Sequence, residues 1–164
     1  VLGASVQSAQ LAAQSDWNFI FAAHLNGDKA LLHDVLSFWQ THSARPTIVA
    51  VQVIVADSYD TAAQLAENVQ IWGVELEDGQ RVTVASEEQA LAFAAQSGSP
   101  PRKIARREQA LLHGTAQEVM AKLNALHTQF GIDEFIIDTP VAQGHARLTS
   151  LRLLAQAHNA VEVL

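Results

Sequence analysis

Thr47-Ile48-Val49-Ala50-Val51-Gln52-Val53-Ile54-Val55-Ala56 decides the fold. A strand turns successive side chains to opposite faces, and this run is apolar on both, through Ile48, Val49, Val51, Val53, Ile54 and Val55. A strand buried on both faces belongs to a parallel sheet covered by helices. The preceding residues agree. Arg45-Pro46 breaks a helix that runs from Ala30 to His42, with Leu32, Val35, Leu36 and Trp39 on one stripe. Before that helix, Asn18 to Ala23 is a near-continuous apolar strand, ended by His24 and an Asn26-Gly27-Asp28 turn. Earlier still, Ser5 is placed to cap a helix from Val6 to Gln14 with a small-residue face of Ala9, Ala12 and Ala13. The short apolar run Val1 to Ala4 leads into it.

Downstream, Asp57 and Ser58 open a helix expected from Tyr59 to Val74. The pattern then degrades from Glu75 to His113. A turn at Glu77-Asp78-Gly79-Gln80, a helix start at Ser86-Glu87-Glu88 and a break at Ser97-Gly98-Ser99-Pro100-Pro101 mark this stretch as an insertion or mobile loop. Order returns with Thr115 and Glu118, a capping box that opens a helix from Ala116 to Phe130, ended by Gly131. Asp133 to Asp138 holds a last strand. A helix from about His145 to His158 follows, with Leu148, Leu151, Leu154 and Ala155 expected on its buried side. Strands alternating with helices define the α/β class, with right-handed crossovers.

Composition narrows the function classes. At 164 residues, with 49% apolar and 16% charged residues, the chain has the balance of one folded domain. Its formal charge of −7 gives no electrostatic footprint for nucleic acid or an anionic membrane. Arg102, Lys103, Arg106 and Arg107 form the one basic cluster. With no cysteine there are no disulfides, thiolate metal sites or cysteine nucleophiles. His24, His33 and His42 recur every nine residues, about two and a half helical turns, across different elements, so no metal site is expected. No apolar run approaches the ~20 residues of a membrane span, and no signal-peptide pattern is present, so a cytoplasmic location is the expectation. The start at Val1, directly in an apolar run, reads as cut. The hydrolase elbow, the phosphate-binding loop, the dinucleotide fingerprint and the zincin motif are all missing.

Three stretches together resemble the bacterial luciferase-like, flavin-dependent monooxygenases. Leu2-Gly3-Ala4-Ser5-Val6-Gln7-Ser8-Ala9 is similar to the family's fifth barrel strand and helix, where a serine-containing turn meets the flavin phosphate. Asn18 to His24 looks like the sixth strand. Thr47 to Ser58, with Gly114 to Val119 and Gly131 to Ile137, resembles strand seven, the helix before strand eight and strand eight; Arg147-Leu148-Thr149-Ser150-Leu151 fits the final helix. The resemblance implies a TIM-barrel-type fold of which residues 1–164 supply strands five to eight. A complete barrel needs about 250 residues and eight strands. The half that carries the family's catalytic histidine has no counterpart here, so no catalytic residue is assigned.

The resemblance implies reduced FMN as co-substrate, oxygen and a small organic molecule as the other reactants, and a flavin reductase or a nicotinamide as electron source. Gly3, Ala4, Ser5, Val6 and Ser8 are then the phosphate turn: a helix N-terminus favours an anion, serine hydroxyls add donors, and Gly3 permits close approach. The plainer alternative makes Ser5 an ordinary helix cap. His24, at a strand's C-terminal end, falls on the rim where barrel active sites lie and would shape the pocket; Asp57, Ser58, Asp138 and Thr139 occupy similar positions. The Arg102 to Arg107 cluster falls where the family has a loop that closes over the site. Four strands with helices outside leave the inner face of the sheet open, so a further half of the chain or a second copy in a homodimer is expected to complete the barrel. Two other readings stand beside this one. One is a non-catalytic flavin-binding protein or remnant; the other is a small flavodoxin-like domain, monomeric, with its sheet covered on both faces.

Overall fold

The computed structural model describes residues 1–25, 28–84, 86–107 and 110–161. In chain order the elements are β1 (Leu2–Gly3), α1 (Val6–Gln14), β2 (Ile20–Ala22), a 3-10 turn (Ala23–Leu25), α2 (Lys29–His42), β3 (Ile48–Val55), α3 (Tyr59–Glu67), β4 (Ile71–Leu76), β5 (Arg81–Val84), α4 (Glu87–Gln96), β6 (Pro101–Arg107), β7 (Leu111–Gly114), α5 (Ala116–Phe130), β8 (Glu134–Asp138) and α6 (Gly144–Val161). They fall into two compact units: Val1–Ala66 with Ala110–Leu164, and Glu67–Gln109. Asn26 and Gly27 of the expected turn lie outside the described residues.

The first unit is built on β3. Six of its eight residues are β-branched, which suits a pleated strand packed on both faces. β2 and β8 both pair in parallel with Ile48 to Ala50, so they occupy opposite edges of β3. β1 extends the sheet beyond β2, and β7 runs parallel to the C-terminal half of β3, from Gln52 to Val55. With its backbone groups paired on both sides, β3 is the strand an apolar run predicts.

The two faces of this sheet differ. Phe21, Val49, Val51, Val53 and Val55 point into one core with Ala9 and Ala12 of α1, Val35, Leu36 and Trp39 of α2, Val119 and Leu123 of α5 and Leu154 of α6. Trp39 is fully buried, donates its indole N–H to the Pro46 carbonyl at 3.1 Å and packs against Phe19 at a ring separation of 5.5 Å. The alternate positions face the other way. There Leu2 is 58% exposed and Ile136 41%, although Ala22 and Ile54 are buried.

Local signals set the helix ends. Ser5, Asp28 and Thr115 cap α1, α2 and α5 through side-chain oxygens, and Gly131 ends α5 in the left-handed conformation at φ 61°. Asp133 accepts the Thr47 N–H at 2.7 Å, tying the start of β8 to the start of β3. In α6 the sequence expectation holds for Leu154, which is buried, but not for Leu148, Leu151 and Ala155, which are exposed; Ser150 is buried instead. The Ser150 hydroxyl accepts the Val55 N–H at 2.8 Å, and that buried bond orients the helix.

The second unit departs from the pattern read along residues 59–113. The helix expected to reach Val74 stops at Glu67, and Ile71–Leu76 is a strand. It is the centre of a three-stranded antiparallel sheet in the order β5-β4-β6. Val74, Leu76 and Ala90 form a small core with Trp72, Val82, Val84, Phe93 and Ile104 around it. The Glu77–Gln80 turn joins β4 to β5, with Gly79 at φ 87°, a conformation in which a Cβ would be strained. Ser86 caps α4, as its sequence position predicts.

Candidate functional site

The parallel strands of the first unit carry their C-terminal ends, and the turns that follow, to one edge of the sheet. Ser5 and Ser8 lie just beyond β1. Ser5 is the N-cap of α1: its Oγ accepts the Ser8 N–H at 3.2 Å and lies 3.0 Å from the Ser8 Oγ. Only one hydroxyl hydrogen lies between the two oxygens, so the pair keeps one O–H to donate elsewhere. The Val6 and Gln7 N–H groups, in the first turn, have no carbonyl within the helix to bond. The cap and an anion site are therefore compatible in this turn.

Gly3 has a more local role than close approach to a ligand. A Cβ there would come within 2.5 Å of Ser8 Cβ and Oγ, so glycine makes room for the Ser8 side chain. Ala4 and Val6 turn their side chains toward the main core and offer a ligand only backbone.

His24 sits in the 3-10 turn that directly follows β2, the strand beside β1. Its Nδ1 is buried and has no hydrogen-bond partner, and neither has the buried Thr139 Oγ1 just past β8. Buried polar atoms are nearly always paired, so both mark places where a ligand or water is expected. Ser58 is a helix cap, its Oγ accepting the Thr61 N–H at 3.2 Å, and Asp57 beside it is exposed. Tyr59, the first residue of α3, and His113, near the end of β7, place their rings 5.5 Å apart.

Sequence reasoning missed one feature of this edge. Gln52 and Asp138 are paired in the β3–β8 register on the face turned away from the helix-packed core. The Gln52 Nε2 donates to Asp138 Oδ2 at 2.9 Å. Only half of the signal was local: Gln52 is the one polar residue in an otherwise apolar eight-residue strand, but nothing along the chain pairs it with Asp138.

Two other features lie away from this edge. A groove of about 640 Å³ runs between α5, β8 and α6, lined by Met120, Leu123, His127, Phe135, Leu151 and His158 among others. It opens on the helix side of β8, with Ile132 and Asp133 at its N-terminal end, so it is not where parallel strands present their ends. In the second unit, Arg81 and Arg102 reach Glu75 at 3.1 and 3.6 Å, which accounts for part of the basic cluster; the Arg107 side chain lies outside the described residues. Among the described residues no group of three or more His, Asp or Glu side chains is placed to hold a metal ion. No helix among them is long and apolar enough to cross a membrane.

No family model matches the chain. It is similar to the N-acetyl-S-alkylcysteine monooxygenase of Bacillus subtilis strain 168, 29% identical over 161 residues, a match that covers 96% of this chain and 48% of that protein. The uncharacterized protein YwcH of the same organism is 26% identical over 96% of this chain and 49% of its own length. The chain thus spans about half the length of the curated relatives it matches. Among solved structures, the monooxygenase RslO1 from Streptomyces bottropensis superposes with a TM-score of 0.63 at 17% identity, over 99% of this chain and 47% of that one. Apo-MsnO8 gives 0.62 at 20% identity, over 96% and 49%. Flavoprotein 390 gives 0.59 at 12% identity, over 99% and 65%. The chain has the fold of roughly half of RslO1, whose name says monooxygenase, and is similar in sequence to about half of a second protein so named.

Proposed function

We propose that this chain is the C-terminal half of a luciferase-like (β/α)8 barrel, and that the complete protein is an FMN-dependent monooxygenase acting on a small organic substrate. The observation that carries the reading is the Ser5–Ser8 turn. A spare hydroxyl donor and the first N–H groups of α1 converge beyond the end of a parallel strand. Helix N-termini and hydroxyl donors of this kind favour a phosphate. The residues present fit the phosphate end of a flavin mononucleotide. The similarity to a monooxygenase over 96% of the chain supports the same reading.

In this scheme Ser5, Ser8 and the backbone of Gly3, Ala4 and Val6 hold the phosphate. His24 lines the pocket through its unpartnered Nδ1. Bound reduced flavin supplies the electrons with which oxygen oxidises the substrate, drawn in turn from a flavin reductase or a nicotinamide. The stretch around residues 75–113 is an insertion in the barrel. The face bearing Leu2 and Ile136 is the barrel interior, closed by a further half of the chain. The protein works in the cytoplasm.

The test compares FMN with riboflavin, which lacks the phosphate, on the intact protein. Ser5→Ala with Ser8→Ala should weaken FMN binding by about tenfold to a hundredfold, the loss of charge-assisted hydrogen bonds, and leave riboflavin binding unchanged. Equal weakening of both, or of neither, rejects the phosphate assignment.

A second reading is supported by the likeness to flavoprotein 390, of which the match covers 65%. It makes the protein a flavin-binding homodimer of half-barrels without oxygenase activity. Flavin bound without reduced-flavin-dependent oxygen consumption, together with a doubled mass in native mass spectrometry, would select it.

A further inference from the structure

From the Gln52–Asp138 pair we infer a substrate-recognition element that takes a ligand through a hydrogen-bond-donating nitrogen, best of all an ammonium group. The inference rests on the reading above that this face of the sheet lines an enzyme pocket. Its starting point is chemical. An amide and a carboxylate stand side by side on adjacent strands, close to the C-terminal end of β8, on the face that does not contribute to the helix-packed core. Gln52 is half-buried and Asp138 exposed, so neither side chain is sealed away from a ligand.

The polarity of the pair follows from its one hydrogen bond. A carboxylate only accepts, so the Gln52 amide must turn its N–H toward Asp138, as the 2.9 Å contact requires. That leaves one further Gln52 N–H and two acceptors, Gln52 Oε1 and Asp138 Oδ1. In the ion pairs among the described residues, Arg45 reaches Asp16 and Arg81 and Arg102 reach Glu75, and none reaches Asp138. Of these groups only Asp138 carries a charge, and that negative charge disfavours a carboxylate or sulfonate and favours a positively charged N–H donor. On the same face Ile136, substantially exposed, flanks the pair along β8, above the buried Ala50 and Ile54 of β3. A ligand with an apolar body and a charged nitrogen matches that surface. His24, in the turn after the neighbouring β2, adds an unpartnered ring nitrogen.

A purely structural cross-strand tie would use the same hydrogen bond, and the experiment separates the two roles. Asp138→Asn removes the charge but keeps an oxygen that accepts from Gln52, so the tie survives. The probes are benzylammonium, N-benzylacetamide and benzoate, which share an aromatic body and differ in the polar head. Their binding to the intact protein is measured by titration calorimetry, with FMN binding followed in parallel. The expected result is at least a tenfold preference for benzylammonium over benzoate, with the amide between them. Asp138→Asn should abolish the preference without changing FMN affinity or the melting temperature. Gln52→Leu, which frees the carboxylate to move, should reduce the preference by a smaller factor. Probes bound equally well by the wild type, or a preference that survives Asp138→Asn, would overturn the assignment. Loss of FMN affinity in Asp138→Asn would overturn it too, by giving the pair to the flavin. A wild type that prefers the ammonium probe but binds no flavin would uphold the pair and reject the monooxygenase reading.

Discussion

The two faces of the main sheet are made by the same strands and have opposite characters. On the helix side, Phe21, Val49, Val53 and Val55 are sealed beneath four helices. On the other side, at the alternate positions, Leu2 and Ile136 are substantially exposed and Gln52 and Asp138 form a polar pair. Period-two alternation places all of these side chains, yet the second face is covered only in part, with Ala22, Ala50 and Ile54 buried and Leu2 and Ile136 not. The difference separates what holds the unit together from what is available for function. The helix face is packed throughout, whereas the opposite face keeps apolar and polar side chains accessible.

Substitution on the helix side should have the largest effect. Trp39→Ala removes a fully buried indole, its contact with Phe19 and its bond to Pro46, and should cost about 3–5 kcal/mol in chemical denaturation of the intact protein. A cost near zero would show that the helix layer is not the main core. The opposite face gives the sharper comparison. Ile136→Ala should cost about 2 kcal/mol or more in the intact protein if the barrel closes over this side chain. An effect below about 0.5 kcal/mol, as for a surface position, would leave the face open and break the proposed closure.

Smaller effects are expected where α5 begins. Thr115→Ala removes the side-chain half of the capping box and should lower stability by about 1 kcal/mol, read from the denaturation midpoint. The smallest effect belongs to Glu118. Hydrogen bonds from the Thr115 backbone N–H and then its hydroxyl, at 2.8 and 2.9 Å, hold this carboxyl below the usual glutamate range. Because the folded state favours the ionised form, its contribution is present above the unfolded pKa and fades as pH falls through the lowered folded value. Glu118→Gln should therefore flatten the acid limb of the stability profile slightly, in paired denaturation series across that range. An unchanged limb would mean that the bonds do not persist in solution.

Much of this fold was legible along the chain. β3 announced itself by apolar residues on both faces, α2 by its Leu32, Val35, Leu36 and Trp39 stripe, and α5 by its capping box and terminal glycine. In the candidate site, the Ser5 cap and the strand-end position of His24 were readable, because a cap and a strand end are local features. The Gln52–Asp138 pair was not, since its partners are 86 residues apart and meet only through strand register. The misread helix end has the same cause. Ile71, Trp72 and Val74 continue a helical spacing from α3, but they pair with Arg107, Arg106 and Ile104, thirty or more residues further on.

The sequence by itself determined most of the parallel strands, though not β7, most of which falls in the stretch read as an insertion, together with where most helices begin and end and that the class is α/β. Those properties depend on side-chain period and on backbone groups satisfied within a few residues. Tertiary structure decided which side of α6 is buried, since Leu148 and Leu151 look as core-like along the chain as Leu154 does. It also decided that residues 71–107 hold an antiparallel sheet, and that an amide and a carboxylate share one face of the parallel one. Each of these depends on pairing between distant segments, and a local pattern carries no record of which strand will lie alongside.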